Sequence, residues 1–112
     1  MIMKKITFLI FLLGIFASAQ TKLTKDFVYV DDVIPSIKVD LRYFVTNNFM
    51  GKRIDGYNKD VVILTKEAAN ALKHVQSDLK AYNLSLLIYD AYRPQRAVDH
   101  FVRWAKDLND TI

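Results

Sequence analysis

One segment limits the folds open to this chain more than any other: "LSLLIYDAYRPQRAVDHFVRWA", Leu84 to Ala105. Leu84 to Tyr89 is a short apolar run with little alternation, which predicts a strand buried on both faces. Pro94 opens a helix at the position where its missing N–H costs nothing. That helix is predicted over Pro94 to Leu108, with an apolar stripe of Ala97, Val98, Phe101, Trp104, Ala105 and Leu108. Between strand and helix stand Asp90, Tyr92 and Arg93, with Arg96 in the first helical turn. A polar joint held by two rigid elements is a common way to present functional groups.

Upstream, "IKVDLRY" places Ile37, Val39, Leu41 and Tyr43 at every second position. This predicts a strand with one buried face and one face wet or against a ligand. "FVYVDDVIP" reads as a short strand followed by a turn at Pro35. Val45 to Asp60 is punctuated by Asn47, Asn48, Gly51 and Gly56 and predicts a long ordered loop, a class that often carries function. A helix follows over Lys66 to Tyr82. Thr65 is its N-cap, Glu67 lies in its first turn, and Ala69, Leu72, Val75, Leu79 and Tyr82 form its apolar stripe. Helices against a small mixed or antiparallel sheet make an α+β fold.

The first 19 residues stand apart. Lys4 and Lys5 precede "ITFLIFLLGIF", and Ala17 to Ala19 read "ASA", the layout of a cleavable secretory leader. Ile6 to Phe16 is short of the ~20 apolar residues needed to cross a bilayer core. A mature chain from Gln20, periplasmic or secreted and with no stable membrane insertion, is therefore expected. Losing Lys4 and Lys5 lowers the formal charge from +4 to +2, and the remaining Lys and Arg are interspersed with Asp. No concentrated basic face marks a nucleic-acid partner. The chain has no Cys, which excludes thiol chemistry and Cys-ligated zinc.

Two readings of the joint stand side by side. Asp90 and an arginine form an ion pair that closes the helix N-terminus, or Asp90 fixes a guanidinium aimed at a ligand carboxylate or a growing oxyanion. Arg93 precedes Pro94 and is pushed out of helical geometry. Arg96 opposes the helix dipole and calls for a carboxylate or a bound anion. His74 reads as an exposed helix residue, and neither His74 nor His100 has a second histidine at metal-ligand spacing.

"DLRYFVTNNFMGKRIDGY" (Asp40 to Tyr57) followed by "DAYRPQRAVDHFVRWA" (Asp90 to Ala105) resembles the N-terminal half of the D-alanyl-D-alanine dipeptidases, the VanX-type zinc peptidases. The resemblance covers nearly all of the mature chain. It implies part of an α+β domain of the D-Ala-D-Ala carboxypeptidase and Hedgehog type. It also implies hydrolysis of the dipeptide D-Ala-D-Ala with one zinc, held by His, Asp and His, and a glutamate base. By this resemblance Arg93 is the arginine that steadies the scissile carbonyl and the tetrahedral intermediate. Asp90 shapes its surroundings, and Asn48, Phe49, Gly56 and Tyr57 belong to a substrate-side loop; Tyr92 and Arg96, from their place at the joint, count as supporting residues.

The family's zinc motifs, of the forms S-x-H-x-x-G-x-A-x-D and E-x-x-H, do not occur up to Ile112, and His74 and His100 match none of the ligands. The expectation is a chain truncated before its metal site, with no specific zinc binding and the family activity lost. Two alternatives remain: a D,D- or L,D-carboxypeptidase of wall peptides, and a metal-free module binding carboxylate-ended peptides.

Overall fold

The computed structural model describes residues 23–110. The leader reading, over residues 1–19, lies outside them. The described chain is α+β: β1 (Phe27–Tyr29), α1 (Val30–Val33), β2 (Lys38–Val39), β3 (Ile63–Thr65), α2 (Lys66–Lys80), β4 (Leu87–Ile88) and α3 (Gln95–Lys106). The strands form two separate ladders. β1 pairs antiparallel with β3, Val28 opposite Leu64, and β2 pairs parallel with β4, Val39 opposite Ile88. No helix among the described residues is long and apolar enough to cross a membrane.

Thr65 ends β3 and caps α2, its Oγ1 accepting the Ala68 N–H at 3.2 Å. The helix stops at Lys80, and Asn83 reverses the chain with φ 54°, a left-handed conformation that Asn tolerates. The predicted stripe is off by one position. Ala69 is buried, but Val75 is 45% exposed and Tyr82 75%, while Gln76 is buried in the phase set by 69, 72 and 79. Gln76 donates to Ser85 Oγ at 2.9 Å and accepts the Leu86 N–H at 2.9 Å, so its amide is satisfied where a hydrocarbon was expected.

The two central strands are shorter and more open than predicted. Past Val39 the chain still pairs, Asp40 N–H donating to Ile88 O and Arg42 N–H to Tyr89 O, then curls into a turn at Leu41–Val45. Leu41 is buried, whereas Val39 is exposed. In β4, Ile88 packs inward, but Leu84, Leu87 and Tyr89 are exposed. A strand paired only with β2 has one covered face, so Leu84 to Tyr89 is not buried on both. Upstream, a single helical turn, α1, stands between β1 and Pro35 where only a turn was expected.

Two apolar clusters fill the interior. Val30, Ile34, Leu41 and Val62 form the first, with Leu72, Ile88 and Ala91 packed against it. Met50, Ile54, Tyr57 and Ala97 form the second, with Tyr43, Phe101 and Trp104 against it. Phe44 belongs to both margins. In α3 the inward face is Ala97, Phe101 and Trp104. Val98, Ala105 and Leu108 are exposed, Leu108 beyond the helix end at Lys106, and Pro94 is the N-cap instead of the first helical residue.

Candidate active site

The loop from Val45 to Asp60 is built on one amide. Asn48 Nδ2 donates to the carbonyls of Arg42, Val45 and Lys52 at 2.8–2.9 Å, and its Oδ1 accepts the Met50 N–H at 2.9 Å. Asn48 is thus spent on shaping the loop. Ile54 then enters the core, its N–H donating to Tyr43 O. Asp55 ties the loop to α3: its N–H donates to His100 Nδ1 at 3.0 Å, and its carboxylate accepts from Arg103 at 2.7 Å.

Gly56 brings the loop against the start of α3. Its φ is +89°, and a Cβ there would lie 2.9 Å from the Pro94 Cβ. Only glycine fits so close an approach with that backbone. The next residue, Tyr57, is buried, and its hydroxyl reaches across to the joint after β4.

That joint is an organised set of charges. Tyr57 donates to Asp90 Oδ1 at 2.7 Å, and Arg93 Nη2 donates to Asp90 Oδ2 at 2.8 Å. The guanidinium also lies over two rings, 5.4 Å from the Tyr43 centroid and 5.3 Å from that of Phe101. Such cation–π contacts are worth about 0.5–1 kcal/mol each when exposed. Phe49 completes the aromatic floor, stacked on Phe101 at 5.6 Å and edge-on to Trp104 at 5.2 Å. Burial, then the bond to Asp90 and its charge, push the Tyr57 phenol well above its usual range. The bond to Asp90 raises Arg93 above its ordinary value. Both groups therefore stay protonated at any physiological pH.

Not all the sequence-selected residues converge. Tyr92 turns the other way, its ring edge-on to Phe27 at 5.7 Å and its N–H donating to Ile63 O. Arg96 is exposed on the first turn of α3 and, among the described residues, has no carboxylate partner. Two residues that sequence reasoning did not select belong to the site, Tyr43 and Phe101. Tyr43 was read only as a strand position and Phe101 only as helix stripe; their shared contact with Arg93 has no signal in local spacing. A cavity of about 420 Å³ opens beside the cluster, lined by Arg42, Tyr43, Asn47, Asn48, Phe49, Tyr89 and Asp90, so Asn48 also borders it. Among the described residues, no group of three His, Cys, Asp or Glu side chains is placed to hold a metal ion.

A family model described as D-ala-D-ala dipeptidase matches residues 23–111, a span holding every element above. The chain belongs to the D-Ala-D-Ala dipeptidase family. A D-alanyl-D-alanine dipeptidase of Streptomyces coelicolor is 40% identical over 88 residues, 79% of this chain and 44% of that protein. One from Enterococcus faecalis is 38% identical over 86 residues, 77% of this chain and 43% of its own. One from Escherichia coli is 36% identical over 74 residues, 66% of this chain and 37% of its own. The matched segment thus spans under half the length of these relatives.

Proposed function

We propose that this chain carries the oxyanion-stabilising arginine of a zinc-dependent D-Ala-D-Ala dipeptidase, with the zinc ligands and general base supplied by the rest of a family domain. The single observation behind this reading is the setting of Arg93. Its guanidinium is fixed by Asp90 at 2.8 Å, yet the side chain remains 45% exposed, with donors left over. When a peptide carbonyl is attacked, charge collects on its oxygen. A planar, permanently charged donor fork held ready stabilises that charge more than it stabilises the neutral carbonyl. The Asp and Glu and the two His of this chain do not form a zinc site among the described residues. In this reading metal chemistry falls to family-domain residues outside this set, and an isolated chain is expected to bind zinc weakly and release no D-alanine.

The test is a fusion of residues 20–112 to the part of the Streptomyces coelicolor relative beyond the matched segment, assayed for D-alanine release. Activity on D-Ala-D-Ala is expected. Arg93→Ala should lower kcat by about 10²–10³, the usual loss for one oxyanion donor, with zinc content unchanged. Arg93→Lys should recover little, because a point charge lacks the planar fork. Wild-type kcat in Arg93→Ala would leave the Asp90–Arg93 pair a purely structural clasp. Activity confined to longer wall peptides would favour a carboxypeptidase.

Export belongs to the same proposal: a cleaved leader would place the protein in the periplasm or outside the cell, acting on wall-derived dipeptide. Mass spectrometry of the exported protein should find an N-terminus at Gln20, and intact Met1 in a soluble cytoplasmic fraction would overturn this.

A further inference from the structure

Resting on the assignment of Arg93 above, we propose that Tyr57 is a positioning residue for Arg93, acting through Asp90. Without help, the Asp90–Arg93 pair is a weak device. Its side chains are 22% and 45% exposed, and ion pairs that wet usually contribute little while costing side-chain entropy. The carboxylate torsion of an aspartate is broad and two-fold, so a lone arginine contact leaves both oxygens free to exchange places. Here Oδ1 is already occupied by the Tyr57 hydroxyl at 2.7 Å. That bond fixes the carboxylate plane and leaves Oδ2 alone to receive Arg93.

The tyrosine suits this task for three reasons. It is itself immobile: buried, packed in the second cluster, and preceded by Gly56 wedged against Pro94. Its phenol stays protonated, because burial and the neighbouring carboxylate oppose ionisation, so it remains a donor. Its ring also lies 5.7 Å from that of Tyr43, whose face carries the Arg93 guanidinium. Tyr57 therefore sets both the anion that Arg93 grips and the ring beneath it. The sequence resemblance put Tyr57 on the substrate side; in the structure its hydroxyl donates to Asp90.

Guanidinium nitrogen spectra of the 112-residue chain test this without any catalysis. A fusion inactive on D-Ala-D-Ala would therefore count against the dipeptidase reading and leave these signals unchanged. In the unaltered chain, Arg93 should show slow rotation about its Cζ–Nη bonds, and the Tyr57 hydroxyl proton should exchange slowly with water. Tyr57→Phe keeps the ring and deletes the donor. It should speed Arg93 rotation about fivefold, the factor carried by one net hydrogen bond, with amide dispersion retained. In an Asp90→Asn background the same change should add nothing further, because the path is already cut. Unchanged Arg93 rotation in Tyr57→Phe, or an undiminished effect in the Asp90→Asn background, would overturn the proposal. So would a Tyr57 hydroxyl proton exchanging as freely as one in water, a result that needs no variant.

Discussion

The ground around Arg93 and the outer face of the β2/β4 ladder are built from neighbouring stretches of the same chain, yet they are finished to different degrees. At Arg93 the ion pair is fully engaged: Asp90 takes two donors, Arg93 has an anion and two rings, and Gly56 gives up its Cβ space to Pro94. On the ladder, Leu87 and Tyr89 are exposed, and Arg42 lies over the Tyr89 ring. Parallel pairs are ordinarily covered on both faces and belong to larger sheets. The lesson is that polar preorganisation can be complete locally while the apolar surroundings are not.

The largest effect is expected from the same kind of truncation made in each region. Ile54 is 1% exposed, and Ile54→Ala should cost about 2–4 kcal/mol in urea unfolding. Leu87 is 47% exposed, and Leu87→Ala should cost no more than about 0.5 kcal/mol. Leu87→Lys should leave Tm unchanged. If Leu87→Ala cost as much as Ile54→Ala, the outer face of β4 would be covered in solution and the contrast would fail.

The glycines give a smaller difference. Gly51 also has positive φ, at 65°, but open space where a Cβ would stand. Gly51→Ala should cost about 1 kcal/mol from backbone strain alone. Gly56→Ala meets Pro94 as well and should cost about 2–3 kcal/mol, read as the difference in unfolding midpoint at constant slope. Equal costs would mean that the loop yields at Pro94.

The mildest prediction is a pH effect. The Tyr57 phenol titrates higher folded than unfolded. Its contribution is then complete below about pH 10, the unfolded value, and is lost as pH rises beyond that. Stability should therefore be flat through neutrality on account of this group and fall above pH 10, by at most about 1.4 kcal/mol per pH unit. Tyr57→Phe should remove that slope, and a variant with an identical alkaline limb would assign it to other groups.

The sequence made some of this legible for clear physical reasons. Thr65, Pro94 and the Asp90–Arg93 joint were readable because capping, proline geometry and charge pairing act over a few residues. Long-range choices were not. Gln76 replaced Val75 on the inner face of α2 because Ser85 and the Leu86 N–H, nine and ten residues away in the chain, satisfy its amide. Tyr57 was found by resemblance, but its link to Asp90 spans 33 positions and leaves no periodic trace. The run Leu84 to Tyr89 looked doubly buried because composition reports what a strand tolerates, and here Leu87 is left about half exposed.

The parallel pairing of β2 with β4 also has a kinetic meaning. Lys38 lies opposite Leu87, so the ladder closes a loop that contains the Asn48 turn, β3 and the whole of α2. The entropic cost of closing a loop rises only slowly with its length, but it falls due before the distant contacts compensate it. β1, β3 and α2 meet over shorter separations and can form while the chain is still being extended. The strand that delivers Asp90 and Arg93 is thus expected to dock late, so the arginine reaches its place only once the first apolar cluster exists to receive Ile88.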